Sequence, residues 1–184
     1  DAVSLECFRF VGATDVTGCY ALALLNSRGT VAGCEGDLPT TFTMYLSQLL
    51  TESSSFMANV TSVDRDEQTV DLAHCTVPLD LVTSYDIMSH FETSKSVGIR
   101  GRIEEGPVTL VKVHGSGLER YWVATGRIIA NLTDENACRT QSGVKLDGSV
   151  DYFLKASLAN HHVVIPGNHK DRLKRFFWFS AEAI

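Results

Sequence analysis

The sequence carries little positive charge and no long apolar run, and these two absences narrow the class of protein. Its 184 residues include 16 Lys and Arg against 22 Asp and Glu, for a net charge of −6. It therefore lacks the basic face that nucleic-acid binding requires. No apolar stretch approaches the roughly 20 residues of a membrane span, and no signal-peptide pattern opens the sequence. We expect a cytoplasmic protein without nucleic-acid or membrane partners.

The sequence also lacks pairs of cysteines at the close spacing that is typical of metal-binding and redox motifs. The cysteines are odd in number, lie far apart and form no CxxC pair: they are Cys7, Cys19, Cys34, Cys75 and Cys138. Thiols scattered in this way through a mostly apolar sequence are typical of small buried residues in a reducing compartment. We therefore expect buried thiols rather than a disulfide framework.

Residues 1–52 have the rhythm of an α/β domain. The pattern predicts a strand from Val3 to Phe8, a helix from Gly18 to Asn26 and a strand from Thr30 to Glu35. Asp37 then provides an N-cap side chain, with proline in the first turn of the next helix. Spacing i, i+4, i+7 and i+8 in that helix predicts one buried apolar face, formed by Phe42, Leu46, Leu49 and Leu50.

Strands that alternate with helices imply parallel pairing. Two parallel strands make an incomplete sheet, because its faces and edges need further partners. The sequence also begins with Asp rather than Met. We therefore expect this region to be the end of an α/β domain whose other strands lie upstream in a longer protein.

From about residue 53 the pattern changes to short strands separated by glycine-containing turns, which is typical of an antiparallel barrel or sandwich. The predicted strands cover residues 56–63, 68–74, 96–103, 108–114, 121–131 and 143–146, and predicted helices cover 151–158 and 170–179. We therefore expect an α+β fold: the terminal βαβα piece of an α/β domain in residues 1–52, followed by an antiparallel β-barrel with flanking helices in residues 53–184.

Several residues are candidates for chemistry. Glu35 closes a strand just before a helix, where open α/β sheets bind ligands, although an ordinary carboxylate at a strand end has the same appearance. Asp37 is fully explained by N-capping. His161 and His162 are adjacent, so in a strand they point to opposite faces. His74 ends another predicted strand. A carboxylate with one or two histidines suits Mn²⁺, Zn²⁺ or Fe²⁺, but for isolated histidines a structural role is the more common explanation.

An ordered series of short stretches resembles the L-fucose isomerase and L-arabinose isomerase family, in particular its fucose-isomerase-like branch. The series spans nearly the whole chain: Ala32-Gly33-Cys34-Glu35-Gly36-Asp37, Phe56-Met57-Ala58-Asn59, Ala73-His74-Cys75-Thr76, Ser89-His90-Phe91-Glu92, Gly106-Pro107-Val108-Thr109-Leu110, Cys138-Arg139-Thr140-Gln141 and Ala159-Asn160-His161-His162.

The resemblance implies a metal-dependent ketol isomerase of which this chain is the C-terminal portion. Such enzymes move a proton between C1 and C2 of a sugar through an ene-diol, with a divalent ion, usually Mn²⁺, holding the sugar oxygens. Glu35 matches the glutamate that is ligand and base, and His161 matches the histidine ligand. His74 occupies the place of an additional metal-binding histidine.

The family's aspartate, a ligand and a catalytic residue, does not match, because Asn59 stands at its position downstream of Glu35. An amide oxygen can coordinate a metal, but an amide cannot act as a base. His162 and Arg139 are our candidates for sugar binding. The resemblance further implies a homo-oligomer in the full-length protein. The alternative is a non-catalytic relative that binds sugar or metal, in which Asn59 replaces the second acid.

Overall fold

Six antiparallel strands close into a barrel, which confirms the expected α+β fold. A computed structural model describes residues 1–115 and 119–182, with side chains as far as residue 178. In order around the barrel, the strands are β10 (His161–Pro166), β3 (Phe56–Asp64), β4 (Thr69–His74), β9 (Thr140–Leu146), β8 (Arg120–Asn131) and β7 (Gly106–His114).

The region before the barrel, residues 1–52, forms a small parallel pair of strands with helices around it. Strands β1 (Ala2–Ser4) and β2 (Val31–Gly33) pair in parallel, as the alternation of strands and helices predicted. The predicted first strand is too long, because helix α1 (Cys7–Thr14) begins where the strand was expected to continue. Helices α2 (Cys19–Ser27) and α3 (Leu38–Thr51) complete the region. The proposed boundary after residue 52 stays a prediction.

The remaining elements lie outside the barrel. Strand β5 (Val82–Met88), which the sequence did not reveal, forms an antiparallel hairpin with β6 (Gly98–Ile103). Helices α4 (Asp151–Lys155) and α5 (Lys170–Glu182) follow β9 and β10. None of the helices in the described part of the chain combines the length and the apolar character that crossing a membrane would need.

Alternating residues fill the barrel interior. Each of the six barrel strands contributes at least one side chain to one buried cluster, at every second position: Phe56 and Ala58, Val70 and Leu72, Val108 and Leu110, Ile128, Val144 and Leu146, and Val164. A barrel closed by six strands leaves room for side chains only, so this interior is a packed core.

Helix α3 packs against β7 and β10, and α5 packs against β8 and α3. One sequence prediction is wrong in part here. Phe42 and Leu49, expected on the buried face of α3, are 37% and 61% exposed. The face that α3 buries instead carries Thr40, Thr43 and Met44. Threonine is buried there because it finds hydrogen-bond partners in the barrel: the Thr43 hydroxyl accepts from the amide of Val113 at 3.2 Å.

The prediction that the cysteines are all thiols is wrong for one pair. Cys7 opens α1 and Cys34 follows β2, and the parallel pairing of β1 with β2 brings their Cα atoms within 6.0 Å. That separation suits a disulfide, and the two sulfur atoms are joined. Cys19, Cys75 and Cys138 are free and buried, as expected.

Candidate functional site

The loop between β2 and α3 is held in a conformation that few sequences allow. Glu35 and Gly36 both have left-handed backbone angles, with φ of 60° and 65°. For glutamate this costs on the order of 1 kcal/mol, and such strain is concentrated at functional sites. Gly33 before the loop must be glycine, because a Cβ there would overlap the hydroxyl oxygen of Thr41. The loop thereby directs Glu35 toward the rim of the barrel.

Two histidines reach the same place from the barrel. His74 is the last residue of β4, and His161 is the first residue of β10. Strand β3 lies between β4 and β10, so the two imidazoles meet at one end of the barrel, with ring centroids 5.3 Å apart. They are 3% and 5% exposed. Long-range strand pairing therefore assembles a buried pair of imidazoles from residues that lie far apart in the sequence.

Glu35 faces both imidazoles. Its Oε1 lies 3.6 Å from Nε2 of His74, and its Oε2 lies 3.6 Å from Nε2 of His161. The candidate ligand atoms of the three residues all lie within 4.8 Å of one another. Ligands of a single ion, each about 2.0–2.2 Å from it, are roughly 3–3.6 Å apart, so these separations fit a metal better than direct hydrogen bonds.

The other nitrogen of each ring is already engaged. Nδ1 of His161 lies 3.0 Å from Oδ2 of Asp37, and Nδ1 of His74 lies 2.8 Å from the hydroxyl of Thr76. An ionised Asp37 can only accept, so Nδ1 of His161 carries a proton, and in the neutral ring Nε2 presents a lone pair. Metal-binding histidines are oriented by partners of this kind.

Both Nε2 atoms are left without a hydrogen-bond partner in the described part of the chain, although both are buried. A buried polar atom without a partner is costly and calls for an explanation. Two imidazole nitrogens and one carboxylate directed at one point form a donor set that suits Mn²⁺, Zn²⁺ or Fe²⁺. The residues present therefore fit a divalent metal ion.

Neighbouring charges, hydrogen bonds and burial shift the pKa values of the residues in and beside the cluster. Contacts with the imidazoles of His161 and then His74 hold the pKa of Glu35 well below its usual range. Burial alone would raise the pKa of Asp37, but hydrogen bonds with His161 and Thr40 outweigh it and lower that pKa. Burial alone would lower the pKa of His161, yet Asp37 and Glu35 raise it. Burial lowers the pKa of His74. Both carboxylates are therefore ionised at neutral pH.

Asp37 has two roles of which the sequence indicated one. It caps α3 as predicted, accepting from the Thr40 amide at 2.8 Å. It also orients His161 and lies 3.7 Å from Nζ of the fully buried Lys112. Lys112 donates a hydrogen bond to the Thr40 hydroxyl. Sequence reasoning gave no role to Lys112 or Thr76. Only the meeting of α3 with the barrel reveals Lys112, whereas Thr76 contacts His74 two residues away and could have been considered with it.

Asn59 lies at the edge of this cluster. It is the direct partner of His161 in the β3–β10 ladder, so the two side chains share one face of the sheet. Its carbonyl oxygen accepts a hydrogen bond from the side chain of Asn160. The predicted position beside the histidine is therefore consistent with the register of the strands.

The structure does not bring His162 or Arg139 to the cluster. His162 points to the other face of β10, where it is fully buried and hydrogen-bonds the Tyr152 hydroxyl at 2.9 Å. Burial lowers its pKa to about 4. Arg139 instead donates to the carbonyl oxygen of Ser89 at 2.7 Å and lies over the ring of Phe91.

Comparison with known proteins gives one informative similarity. The chain is 27% identical over 190 aligned residues to a sulfoquinovose isomerase from Clostridium sp. (strain MSTE9), in an alignment that covers 94% of this chain. It spans 41% of the length of that protein. No protein-family model matches the chain. The similarity is to a sugar isomerase, and it extends over both the region before the barrel and the barrel itself.

Proposed function

We propose that this chain is part of a metal-dependent aldose–ketose isomerase, as the resemblance to the L-fucose isomerase type implies. The observation that carries the proposal is the pair of unpartnered, buried Nε2 atoms of His74 and His161 facing the Glu35 carboxylate. The similarity to a sulfoquinovose isomerase supports a sugar as the substrate. Pocket residues decide which sugar fits, and this chain spans only 41% of that relative's length.

In this proposal Glu35, His74 and His161 hold the ion, Mn²⁺ being our expectation, and Asn59 adds an amide oxygen beside them. The ion, when bound, supplies positive charge that stabilises the negative charge developing on the sugar oxygens. Asp37 and Thr76 keep the two imidazoles in the ligating orientation. The assembly is proposed to be a cytoplasmic homo-oligomer.

Glu35 is also the proposed base. Its carboxylate is ionised at neutral pH and acts only as an acceptor, so it is able to accept the proton from C2 of an aldose. The same proton returns to C1, and the hydroxyl proton of O2 moves to O1. The carbonyl group thereby moves from C1 to C2 through an ene-diol, and neither an oxidant nor a reductant is consumed.

One observation favours a second candidate function, a relative that binds sugar or metal without turnover. Asn59 stands where the resemblance calls for an aspartate, and its amide is held by Asn160. An amide cannot share the proton transfer. Ketose formation from L-fucose, L-arabinose and sulfoquinovose by the full-length protein with Mn²⁺ distinguishes the two functions. Turnover supports the isomerase, and metal binding without turnover of any aldose supports the second function.

Metal binding itself is tested by calorimetric titration of Mn²⁺ into the wild type, Glu35→Gln and His161→Ala. We expect each substitution to weaken affinity by at least about 10–100-fold, the loss typical even of changes around a metal's ligands. His114→Ala is the matched control, because His114 is a partly buried histidine at the end of β7 outside the cluster. Unchanged affinity in both Glu35→Gln and His161→Ala would contradict the site.

A further inference from the structure

A second group of potential metal ligands includes Cys75, the residue that follows His74 in the sequence. Cys75 follows β4, whereas His90 and Glu92 belong to the segment between β5 and β6. Their candidate ligand atoms all lie within 4.8 Å of one another. Cys138, from the segment between β8 and β9, completes the group, since its Sγ is 3.2 Å from Oε1 of Glu92. Three separate segments of chain therefore meet at this point.

Short contacts join several of these side chains. Nε2 of His90 lies 3.0 Å from Oε2 of Glu92. Cys75 and Cys138 pack in the same buried cluster. Cys75, Cys138 and His90 are 2%, 8% and 8% exposed, and the Glu92 side chain is 31% exposed. The group is thus a buried pocket of sulfur and nitrogen with one carboxylate on its outer side.

The histidine of this group is oriented as a metal ligand would be. Nδ1 of His90 lies 3.0 Å from the hydroxyl of Thr93, which leaves Nε2 directed at Glu92 and the thiols. A hydrogen bond on the nitrogen away from the ligands is the usual support of a metal-binding imidazole. Neither the sugar-isomerase proposal nor the first cluster uses any of these four side chains.

The segment that carries His90 and Glu92 has little regular structure of its own. Residues 89–97 form no strand or helix, and Ser94 and Ser96 have left-handed backbone angles. The segment is fastened at Ser89 by Arg139, the neighbour of Cys138, and at Val97 by the hydroxyl of Thr17. A cross-link between its centre and Cys75 and Cys138 would fix the remainder of the segment.

We propose that these residues form a structural zinc site, with Sγ of Cys75, Sγ of Cys138, Nε2 of His90 and the carboxylate of Glu92 as its four ligands. Four protein ligands that include thiolates and an imidazole are the usual donor set of a closed, tetrahedral Zn²⁺ site. Two sulfur ligands favour Zn²⁺ over Mn²⁺, which prefers oxygen and nitrogen. Binding converts both thiols to thiolates and releases their protons.

The first test uses Co²⁺ as a spectroscopic substitute for Zn²⁺ in the reduced protein. We expect about one equivalent of Co²⁺ to produce the near-ultraviolet absorption of a cobalt–thiolate bond, and Zn²⁺ to abolish it. Cys75→Ser and Cys138→Ser should each weaken Zn²⁺ affinity by at least about tenfold and reduce the absorption. Absence of cobalt–thiolate absorption from the wild type would overturn the proposal.

Two controls separate this site from its surroundings. Cys19→Ser removes a third buried thiol, which packs in the same cluster as the other two cysteines and is not one of the four proposed ligands, so it should leave the absorption unchanged. Glu35→Gln, which damages the first cluster, should also leave it unchanged. The two proposed metal sites can therefore fail independently of each other.

Glu92→Gln provides a test that remains possible if the cysteine variants fail to fold, because the side chain of Glu92 is partly exposed and tolerates replacement. We expect it to keep the barrel folded and to weaken Zn²⁺ binding by about tenfold. Zn²⁺ should also raise the melting temperature of the wild type more than that of Glu92→Gln. Zn²⁺ affinity and thermal shift identical in the wild type, Glu92→Gln and Cys138→Ser would show that the metal binds elsewhere.

Discussion

The region before the barrel and the barrel itself differ in how completely they bury their apolar side chains. In the barrel, all six strands are paired on both edges and their alternate side chains fill one interior. In the first region, the two short strands β1 and β2 form a sheet of two strands in the described part of the chain. Several large apolar side chains there are 47–68% exposed, namely Val3, Phe8, Val16, Leu38 and Leu49. The barrel therefore encloses a complete hydrophobic core, whereas the first region leaves more of its large apolar side chains exposed.

The candidate site lies where these two regions meet. The first region supplies the carboxylates of Glu35 and Asp37, and the barrel supplies the imidazoles of His74 and His161. The barrel core fixes the imidazoles, but the carboxylates are in place only when the first region is docked. Lys112 and Thr43 contribute to that docking by joining α3 to β7. The site thus depends on a contact between the regions and not on either region alone.

The largest expected effect is on the free energy of unfolding, and it follows from His162. This residue lies in the barrel core and is not one of the proposed ligands. Burial lowers the pKa of this histidine from 6.5 to about 4. The unfolded chain therefore takes up a proton below pH 6.5 that the folded chain refuses until about pH 4. Stability is present above the unfolded pKa and is lost as the pH falls, by up to about 3 kcal/mol.

His162→Gln removes this titration while keeping a donor and an acceptor for Asn160 and Tyr152. Urea unfolding of the wild type and the variant at several pH values measures the difference between their free energies of unfolding. Relative to the wild type, the variant should gain up to about 3 kcal/mol between about pH 7.5 and pH 4. His114→Gln is the control. A difference in unfolding free energy that does not change with pH would show that His162 is not held neutral by burial.

Asp37 tests the meeting point itself, and its two roles are separable. Asp37→Ala removes both the helix cap and the partner of His161, so we expect at least about 1 kcal/mol of lost stability and Mn²⁺ affinity weakened by about 10–100-fold. Asp37→Asn retains the cap, because asparagine is as good an N-cap residue, but it removes the charge behind His161. It should therefore lose metal affinity and keep the contribution of the cap, and any stability that it loses reports the buried Lys112 ammonium left without its counter-charge. Equal Mn²⁺ affinity in wild type and both variants would mean that Asp37 only caps the helix.

Much of the barrel is predictable from sequence because its information is local. Strands β3 and β4 are strand-like runs on either side of a charged turn, and their hairpin was predicted from that arrangement. Strand β5 was missed because both its faces are largely exposed, so it carries little alternation. The buried face of α3 was predicted only in part: the apolar spacing includes Leu46, which is buried, but says nothing of threonines such as Thr43. Their burial depends on partners in β7 that are distant in sequence.

The residues of the candidate site also differ in whether the sequence alone indicates them. Glu35 and His161 could be proposed from short stretches that resemble a known family, and the capping role of Asp37 from helix-capping preference. Lys112 could not, because its role exists only after β7 and α3 have come together. Thr76 lies two residues from His74, so its contact with the imidazole is local, but no residue pattern in the sequence indicated it. His162 shows the reverse case. Its neighbour His161 made it a candidate for sugar binding, whereas the period of the strand directs it into the aromatic core beside Trp122 and Tyr152.

The smallest effect we expect is at Asn59, on the barrel side of the meeting point. Asn59→Asp places a carboxylate opposite His161 in the ladder, and its oxygen still accepts the hydrogen bond from Asn160. Metal affinity depends on the number of charged ligands, so we expect Mn²⁺ to bind about tenfold more tightly, a gain of about 1.4 kcal/mol.

Asn168→Asp is the matched control for Asn59→Asp, because it changes the net charge equally at an exposed position outside the cluster. Calorimetric titration of Mn²⁺ into both variants and the wild type gives the result. A gain in Asn59→Asp but not in Asn168→Asp would place residue 59 among the ligands and identify its amide as the feature that weakens the natural site. Equal affinity in all three proteins would remove Asn59 from the ligand set and leave Glu35, His74 and His161 as the whole of this chain's contribution.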